Sequence, residues 1–223
     1  MKNQTFRAAV FDLDGTLLDT LYDLGACADK ALAAYGFPAR SMEEYRSFIG
    51  NGIPKLIARA VPPGTSEADV QKVLQFYLSY YPEHCAEHTR FFPGVKETVD
   101  TLAKRGYKIA VLSNKTEKTA KKIIAQYFPD TPFAFVWGNN GVRPLKPALD
   151  AGYLLLQELS CEPGEVFYLG DGDTDMEFSS RMGFFAAGAA WGYRPREVLR
   201  ACGADALFSS MEEILPYFPE LEL

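Results

Sequence analysis

The sequence predicts an α/β protein: a doubly wound parallel sheet with a helical insert placed just after the first strand. Three observations carry this. The run Ala8-Ala9-Val10-Phe11 is continuously apolar and ends abruptly in Asp12-Leu13-Asp14-Gly15-Thr16. From Phe92 onward, strand-like runs alternate with amphipathic stretches, the pattern of parallel βα units with right-handed crossovers. Between the two, roughly residues 18–88 show helical spacing and no strand signal.

Each element has its own justification. An apolar residue at every position from Ala8 to Phe11 suits a strand covered on both faces. Such a strand delivers Asp12 at its carboxyl end, the edge where open α/β sheets place their ligands. Leu21, Leu24, Cys27 or Ala28, Ala31 and Leu32 then recur at helical spacing until Gly36-Phe37-Pro38 stops them. Ser41-Met42-Glu43-Glu44 reads as a capping box opening a second helix. Ile53, Leu56, Ile57 and Ala60 form a third apolar face, ended by Pro62-Pro63-Gly64, and a long amphipathic segment runs from Glu67 to about Glu87. After Phe92-Pro93-Gly94 come a helix (Val95 to Arg105) and a strand (Tyr107 to Leu112). A helix (about Lys115 to Tyr127) and a strand (Phe133 to Val136) follow, then a helix (about Ala148 to Leu159) and a strand (Val166 to Leu169). A helix near Asp175–Met182 and a short strand (Phe184 to Ala187) close the alternation.

Bulk properties narrow the function. A chain of 223 residues, 48% of them hydrophobic, accommodates a core domain with a smaller companion. A net charge of -6 argues against a nucleic-acid or anionic-membrane binder. No stretch reaches the ~20 apolar residues of a membrane span, and the polar start Met1–Thr5 is not followed by a signal-peptide core. The four cysteines are widely separated and form no Cys-x-x-Cys pair, which predicts reduced thiols in a cytoplasmic protein.

Chemistry-bearing residues fall at four successive strand ends. These are Asp12 and Asp14; Ser113-Asn114-Lys115; Lys146 in the loop Gly141–Pro147; and Gly170-Asp171-Gly172-Asp173-Thr174-Asp175. Taken singly, each has an ordinary reading: Asp-Gly-Thr as a turn, Ser113-Asn114 as a helix cap, Lys146 as a surface lysine. Their convergence on one sheet edge is what points to function. A carboxylate at the end of a buried strand is costly without a partner; the fitting partner is a divalent cation, and the fitting chemistry phosphoryl transfer. Asp173 reads as a turn or cap residue.

Asp-x-Asp-Gly-Thr, the serine after the second core strand, the Lys-Pro loop and Gly-Asp-x-x-x-Asp, in this order, resemble the haloacid-dehalogenase superfamily over the whole chain. The resemblance implies a Rossmann-like core (residues 1–17 and 89–223) with an inserted helical cap domain (residues 18–88). It implies Asp12 as a nucleophile that becomes an aspartyl-phosphate and Asp14 as general acid, then base. It further implies Ser113 and Lys146 as holders of the phosphoryl oxygens, and an acidic pair completing a Mg²⁺ site. The physical logic agrees: two anions must be brought together, and a metal bridging them lowers that repulsion. Asp12, Asp171 and the main-chain carbonyl of Asp14 suit Mg²⁺, with Asp175 reaching it directly or through water. To act as an acid, Asp14 needs its proton affinity raised, which crowding by other anions would do.

Within the superfamily, Gly50-Asn51-Gly52, Ser113-Asn114-Lys115 and Ala190-Trp191-Gly192-Tyr193 resemble phosphoglycolate phosphatases. The expected substrate is a small phosphorylated metabolite, bound by Ser113, Asn114, Lys146, Gly50, Asn51 and the helix pair Lys55 and Arg59, with Arg143 and Arg194 as further candidates. Hinges are expected near Leu17–Thr20 and Thr89–Pro93. A pyrophosphatase, a sugar-phosphate phosphatase or phosphomutase, and a non-catalytic phosphate- or metal-binding regulator stay open as alternatives. A dehalogenase is disfavoured by Asp14, and a phosphomutase by the lack of histidine in Leu21–Lys30. The pair His84 and His88 is expected to play a structural part rather than bind Zn²⁺, and Tyr77, Tyr80 and Tyr81 are expected to pack in the core or hinge rather than form a base-stacking platform. A monomer or homodimer is expected, with no nucleic-acid or membrane partner.

Overall fold

The computed structural model describes residues 5–220; Met1 to Gln4, which belong to the polar start, lie outside them. The first strand, β1 (Ala8–Phe11), leads through β2 (Leu18–Asp19) into four helices: α1 (Leu21–Ala33), α2 (Met42–Phe48), α3 (Ile53–Ala60) and α4 (Glu67–His84). After β3 (Arg90–Phe91) the chain alternates: α5 (Val95–Lys104), β4 (Lys108–Thr116), α6 (Glu117–Tyr127), β5 (Phe135–Asn139), α7 (Asp150–Leu159) and β6 (Val166–Gly170). It closes with α8 (Asp173–Met182), β7 (Phe185–Ala189), α9 (Arg196–Ala201) and β8 (Ala206–Phe208).

The six core strands pair in parallel in the order β5-β4-β1-β6-β7-β8. Every residue of β1 is buried because successive side chains enter opposite layers. Ala8 and Val10 join Leu112 and Tyr168 beneath Leu155 of α7 and Phe178 of α8. Ala9 and Phe11 join Val111 and Leu169 against Val99 of α5 and Ile123 of α6. The chain adds β4 and β5 on one side of β1 and β6, β7 and β8 on the other. This reversal of direction opens a crevice at the carboxyl end of β1.

Helices α1 to α4 pack on one another through Leu24, Ala28, Tyr45, Ile57, Val73 and Tyr77. Their two connections to the sheet pair as a short antiparallel ribbon, with Leu18 opposite Phe91 and Asp19 opposite Arg90. The buried Asp23 carboxylate braces this junction, accepting hydrogen bonds from His88 N (2.9 Å), Thr89 N (2.8 Å) and Thr89 Oγ1 (2.7 Å).

The predicted capping box forms, with Ser41 N donating to Glu44 Oε2 (2.8 Å) and Glu44 N donating to Ser41 Oγ (3.2 Å). Other details depart from expectation. Residues 18–88 do contain strand, β2, but two residues are too short to display a period. The third core strand lies later than Phe133–Val136, because Trp137-Gly138-Asn139 continues it. Gly138 belongs there for steric reasons: a Cβ would sit 2.5 Å from the Lys115 carbonyl oxygen. Elements α9 and β8, which carry no strong sequence pattern, extend the far edge of the sheet. Among the described residues, no helix is long and apolar enough to cross a membrane.

Candidate active site

The crevice holds the predicted strand-end residues together, and Lys146 is their hub. Its side chain is 3% exposed. The ammonium lies 2.9 Å from Asp12 Oδ1, 2.6 Å from Asp175 Oδ1, 2.8 Å from the Leu112 carbonyl oxygen and 2.8 Å from the Tyr168 hydroxyl. Burial alone would lower the affinity of Lys146 for its proton, but the charges of Asp12 and Asp175 hold it well above the ordinary lysine range. Asn114 fixes the loop that carries it: its Oδ1 accepts from Lys146 N (2.8 Å), and its Nδ2 donates to the Lys146 carbonyl (3.1 Å).

The carboxylates feel the opposite pressure. Burial pushes Asp12 up to about 6; Lys146 pulls it down, while Asp175 and Asp14 push further up. Asp171 is driven well above the usual range by burial and by Asp12 and Asp175, against hydrogen bonds donated by Tyr193 N (2.7 Å) and Thr16 Oγ1 (3.0 Å). Close backbone approach seats this residue. Gly15 has φ +83°, and a Cβ there would fall 2.2 Å from Asp171 Oδ2; a Cβ on Gly192 would fall 2.2 Å from Asp171 Cβ.

Asp12, Asp171 and Asp175 each offer an oxygen, all within 4.8 Å of one another and all buried. Three carboxylates around the single ammonium of Lys146 leave an anionic surplus, and an all-oxygen donor set of this kind fits a hard divalent cation. The oxygens of Asp175 are already engaged, Oδ1 by Lys146 and Oδ2 by Gly172 N (2.9 Å). It is thus at least as much an anchor for Lys146 and the start of α8 as a metal ligand.

Asp14 stands apart from this cluster. Among the described residues no anion touches its carboxylate; instead Lys115 Nζ donates to both oxygens (2.8 and 3.1 Å) and Thr20 Oγ1 donates to Oδ1 (2.7 Å). The expected crowding by anions is replaced by a buried cation that also lies 4.9 Å from the Tyr81 ring centroid.

The crevice continues into a cleft of about 620 Å³, the open solvent at its mouth included, which Ser113 and Asn114 line from the core side. The helical insert contributes Leu24, Ile49, Gly50, Gly52, Ile53 and Leu56 to the wall. Three expected insert residues, Asn51, Lys55 and Arg59, are not part of that wall. Lys55 and Arg59 lie on the exposed face of α3, because its apolar face is the one turned inward. Arg59 instead donates to the Phe48 carbonyl (2.8 Å) and to Asn51 Oδ1 (2.7 Å), shaping the loop from behind.

Arg143 pairs with Glu117 and lies 4.6 Å from the Trp137 ring centroid. Arg194 reaches the wall but donates to the carbonyls of Arg46 (2.7 Å) and Ile49, and its Nε meets Asp173 at 3.3 Å. Asn114 adds a hydrogen bond to the Gly50 carbonyl (3.0 Å). His84 pairs with Glu87 and stacks on Tyr80, while His88 packs edge-on against Tyr22.

Sequence reasoning placed Lys115 and Thr16 within functional motifs without giving either a role, and missed Thr20 and Tyr168 as site residues. A role for Lys115 could have been read: it stands two residues beyond Ser113 in the same strand, and so on the same face. Tyr168 likewise shares a face of its strand with Gly170. Thr16 closes the Asp-x-Asp-Gly-Thr motif, whereas no spacing signal marks Thr20.

Comparison with known proteins agrees with this geometry. Residues 9–189 match the model of the haloacid dehalogenase-like hydrolase family. A phosphoglycolate phosphatase of Haemophilus influenzae is 31% identical over 220 residues, covering 96% of this chain and 98% of its own. A phosphoglycolate phosphatase of Vibrio parahaemolyticus is 31% identical over 221 residues, covering 96% and 97%. Among solved structures, a predicted phosphoglycolate phosphatase from Haemophilus somnus superposes with a TM-score of 0.88 at 28% identity, covering 95% of this chain and 97% of the other. With the buried lysine–carboxylate web at the carboxyl end of its central strand, the chain belongs to the haloacid dehalogenase-like hydrolases and is a phosphatase of that family.

Proposed function

We propose that this phosphatase is Mg²⁺-dependent, works through an aspartyl-phosphate on Asp12, and takes 2-phosphoglycolate or a similarly small phosphate ester. The observation that carries the reading is the pairing of Asp12 with Lys146 inside an anionic cluster at the sheet's switch point. Lys146 hydrogen-bonds Asp12 Oδ1, which leaves Oδ2 to attack phosphorus. As the P–O bond to the leaving group breaks, Asp14 gives that oxygen a proton. Asp14 then takes a proton from the water that attacks phosphorus, and the Asp12 carboxylate is released with phosphate. Lys146 and Ser113 hold phosphoryl oxygens, and a lysine so firmly protonated keeps its charge throughout. Asp12, Asp171, the main-chain carbonyl of Asp14 and, directly or through water, Asp175 would hold Mg²⁺. When bound, the ion supplies positive charge that offsets repulsion between nucleophile and phosphate.

Residues 18–88 act in this reading as the cap and residues 1–17 and 89–223 as the core, the paired strands β2 and β3 being the hinge. The cap excludes water while the phosphoaspartate forms. Its wall of glycines and aliphatic side chains favours a short leaving group. Sugar phosphates need hydrogen-bond partners that these side chains do not provide. The four free cysteines support a reducing, cytoplasmic setting, with the protein acting as a monomer or homodimer.

The test is phosphate release from 2-phosphoglycolate, pyrophosphate, sugar phosphates and nucleotides, with Mg²⁺ and with EDTA. Mg²⁺-dependent preference for 2-phosphoglycolate is expected. Preference for another ester would replace the substrate, and release undiminished by EDTA would remove the metal from the account.

A further inference from the structure

We infer that Lys115 recognises a carboxylate on the substrate's leaving group, which makes it the residue that selects phosphorylated 2-hydroxy acids over plain alkyl phosphates. The inference rests on the proposed reading of Asp12 as nucleophile and Asp14 as acid.

Three cations line the cleft: Lys115, Lys146 and Arg194. Lys146 is committed to Asp12 and Asp175 on the nucleophile side. The guanidinium of Arg194 is committed to the carbonyls of Arg46, Ser47 and Ile49 and to Asp173. The insert adds no charged side chain to the wall. Among the described residues that line the cleft, any negative charge on the leaving group therefore has one cation with a donor to spare, Lys115, whose ammonium sits 2.8 Å from Asp14 Oδ1 and 3.1 Å from Oδ2.

Position makes this contact specific. Asp14 marks where the ester oxygen leaves, because it must reach that oxygen with its proton. In 2-phosphoglycolate the carboxylate is a single carbon away from the ester oxygen, so it must lie beside whatever neighbours Asp14. Without a cation between them, two carboxylates would repel each other in a site shielded from water. Lys115 has three N–H donors; its hydrogen bonds go to Asp14 alone, with the Tyr81 ring against the ammonium. Its side chain is 1% exposed, a degree of desolvation that strengthens a charge-assisted hydrogen bond. The Thr20 hydroxyl continues to hold Asp14 if Lys115 divides its donors between the two carboxylates.

The experiment compares kcat/KM for 2-phosphoglycolate and ethyl phosphate, with Mg²⁺, in wild type, Lys115→Met and Lys115→Arg. Wild type should prefer 2-phosphoglycolate. Lys115→Met should cut that preference by ~10- to 100-fold, the size of one charge-assisted hydrogen bond, and Lys115→Arg should restore most of it. A ratio cancels any general damage to Asp14 or to folding; should the methionine variant fail to fold, Lys115→Gln gives the same ratio. Equal losses on both esters would reduce Lys115 to a support for Asp14, and a wild type indifferent to the carboxylate would also overturn the assignment. Turnover of neither ester by wild type would instead sink the underlying substrate reading, and this assignment with it.

Discussion

Asp12 and Lys146 show how burial sets chemistry at the scale of one residue. The carboxylate is pushed up to about 6 by desolvation, against the pull of the ammonium. A carboxyl whose folded pKa exceeds its ordinary value stabilises the fold only while protonated. Its contribution is present below 3.8 and is lost as pH rises through about 6. In EDTA, the wild-type melting temperature should therefore fall more steeply between about pH 4 and pH 6 than that of Asp12→Asn; parallel curves would contradict the raised proton affinity. Removing the other partner should do harm everywhere. Lys146→Met leaves Asp12 and Asp175 buried without their cation and should cost about 3–5 kcal/mol of stability in denaturant titration, together with nearly all turnover.

At the scale of elements, the catalytic edge depends on backbone crossing closely behind Asp171. Gly192→Ala would force a Cβ to 2.2 Å from Asp171 Cβ and 2.5 Å from the Gly15 carbonyl oxygen. It should weaken apparent Mg²⁺ affinity more than it changes KM for substrate; unchanged Mg²⁺ dependence of activity would show that the loop simply shifts. How far the sequence could be read also divides by element. Continuous apolar runs made β1, β4 and β6 legible, and with them the placement of Asp12, Ser113 and Asp171 at one edge. Amphipathic spacing located α3, yet it could not show that the face bearing Lys55 and Arg59 turns away from the cleft. That depends on tertiary packing of Ile53 and Leu56, to which a helical period is blind. Lys115 was assigned to the start of a helix, whereas β4 runs on through Thr116 and aims its ammonium at Asp14.

For the whole molecule, the issue is how insert and sheet stay in register over the cleft. Among the hydrogen bonds that cross from core to insert, two sit at the cleft wall: Arg194 to the end of α2, and Asn114 to Gly50. Both grip main-chain carbonyls, so the contact survives changes in insert side chains. Arg194→Ala should raise KM for substrate about tenfold while changing kcat only a few-fold, since one or two hydrogen bonds to charge are lost away from the reacting atoms. Steady-state kinetics checks this; a larger effect on kcat than on KM would place Arg194 in the chemistry instead. The Arg194 clasp was not visible in sequence because it joins segments about 145 residues apart.

All of this turns on whether Asp12 carries the phosphoryl group. Asp14→Asn removes the base that releases it, so this variant, given p-nitrophenyl phosphate (whose leaving group needs no proton) and Mg²⁺ and then quenched in acid, should accumulate phosphoenzyme. Intact-mass analysis should show one added phosphoryl group, mapped by peptide digestion to Asp12 and absent when Asp12 is also changed to Asn. A phosphoryl group on another residue, or turnover by wild type with no covalent adduct in the variant, would contradict the account.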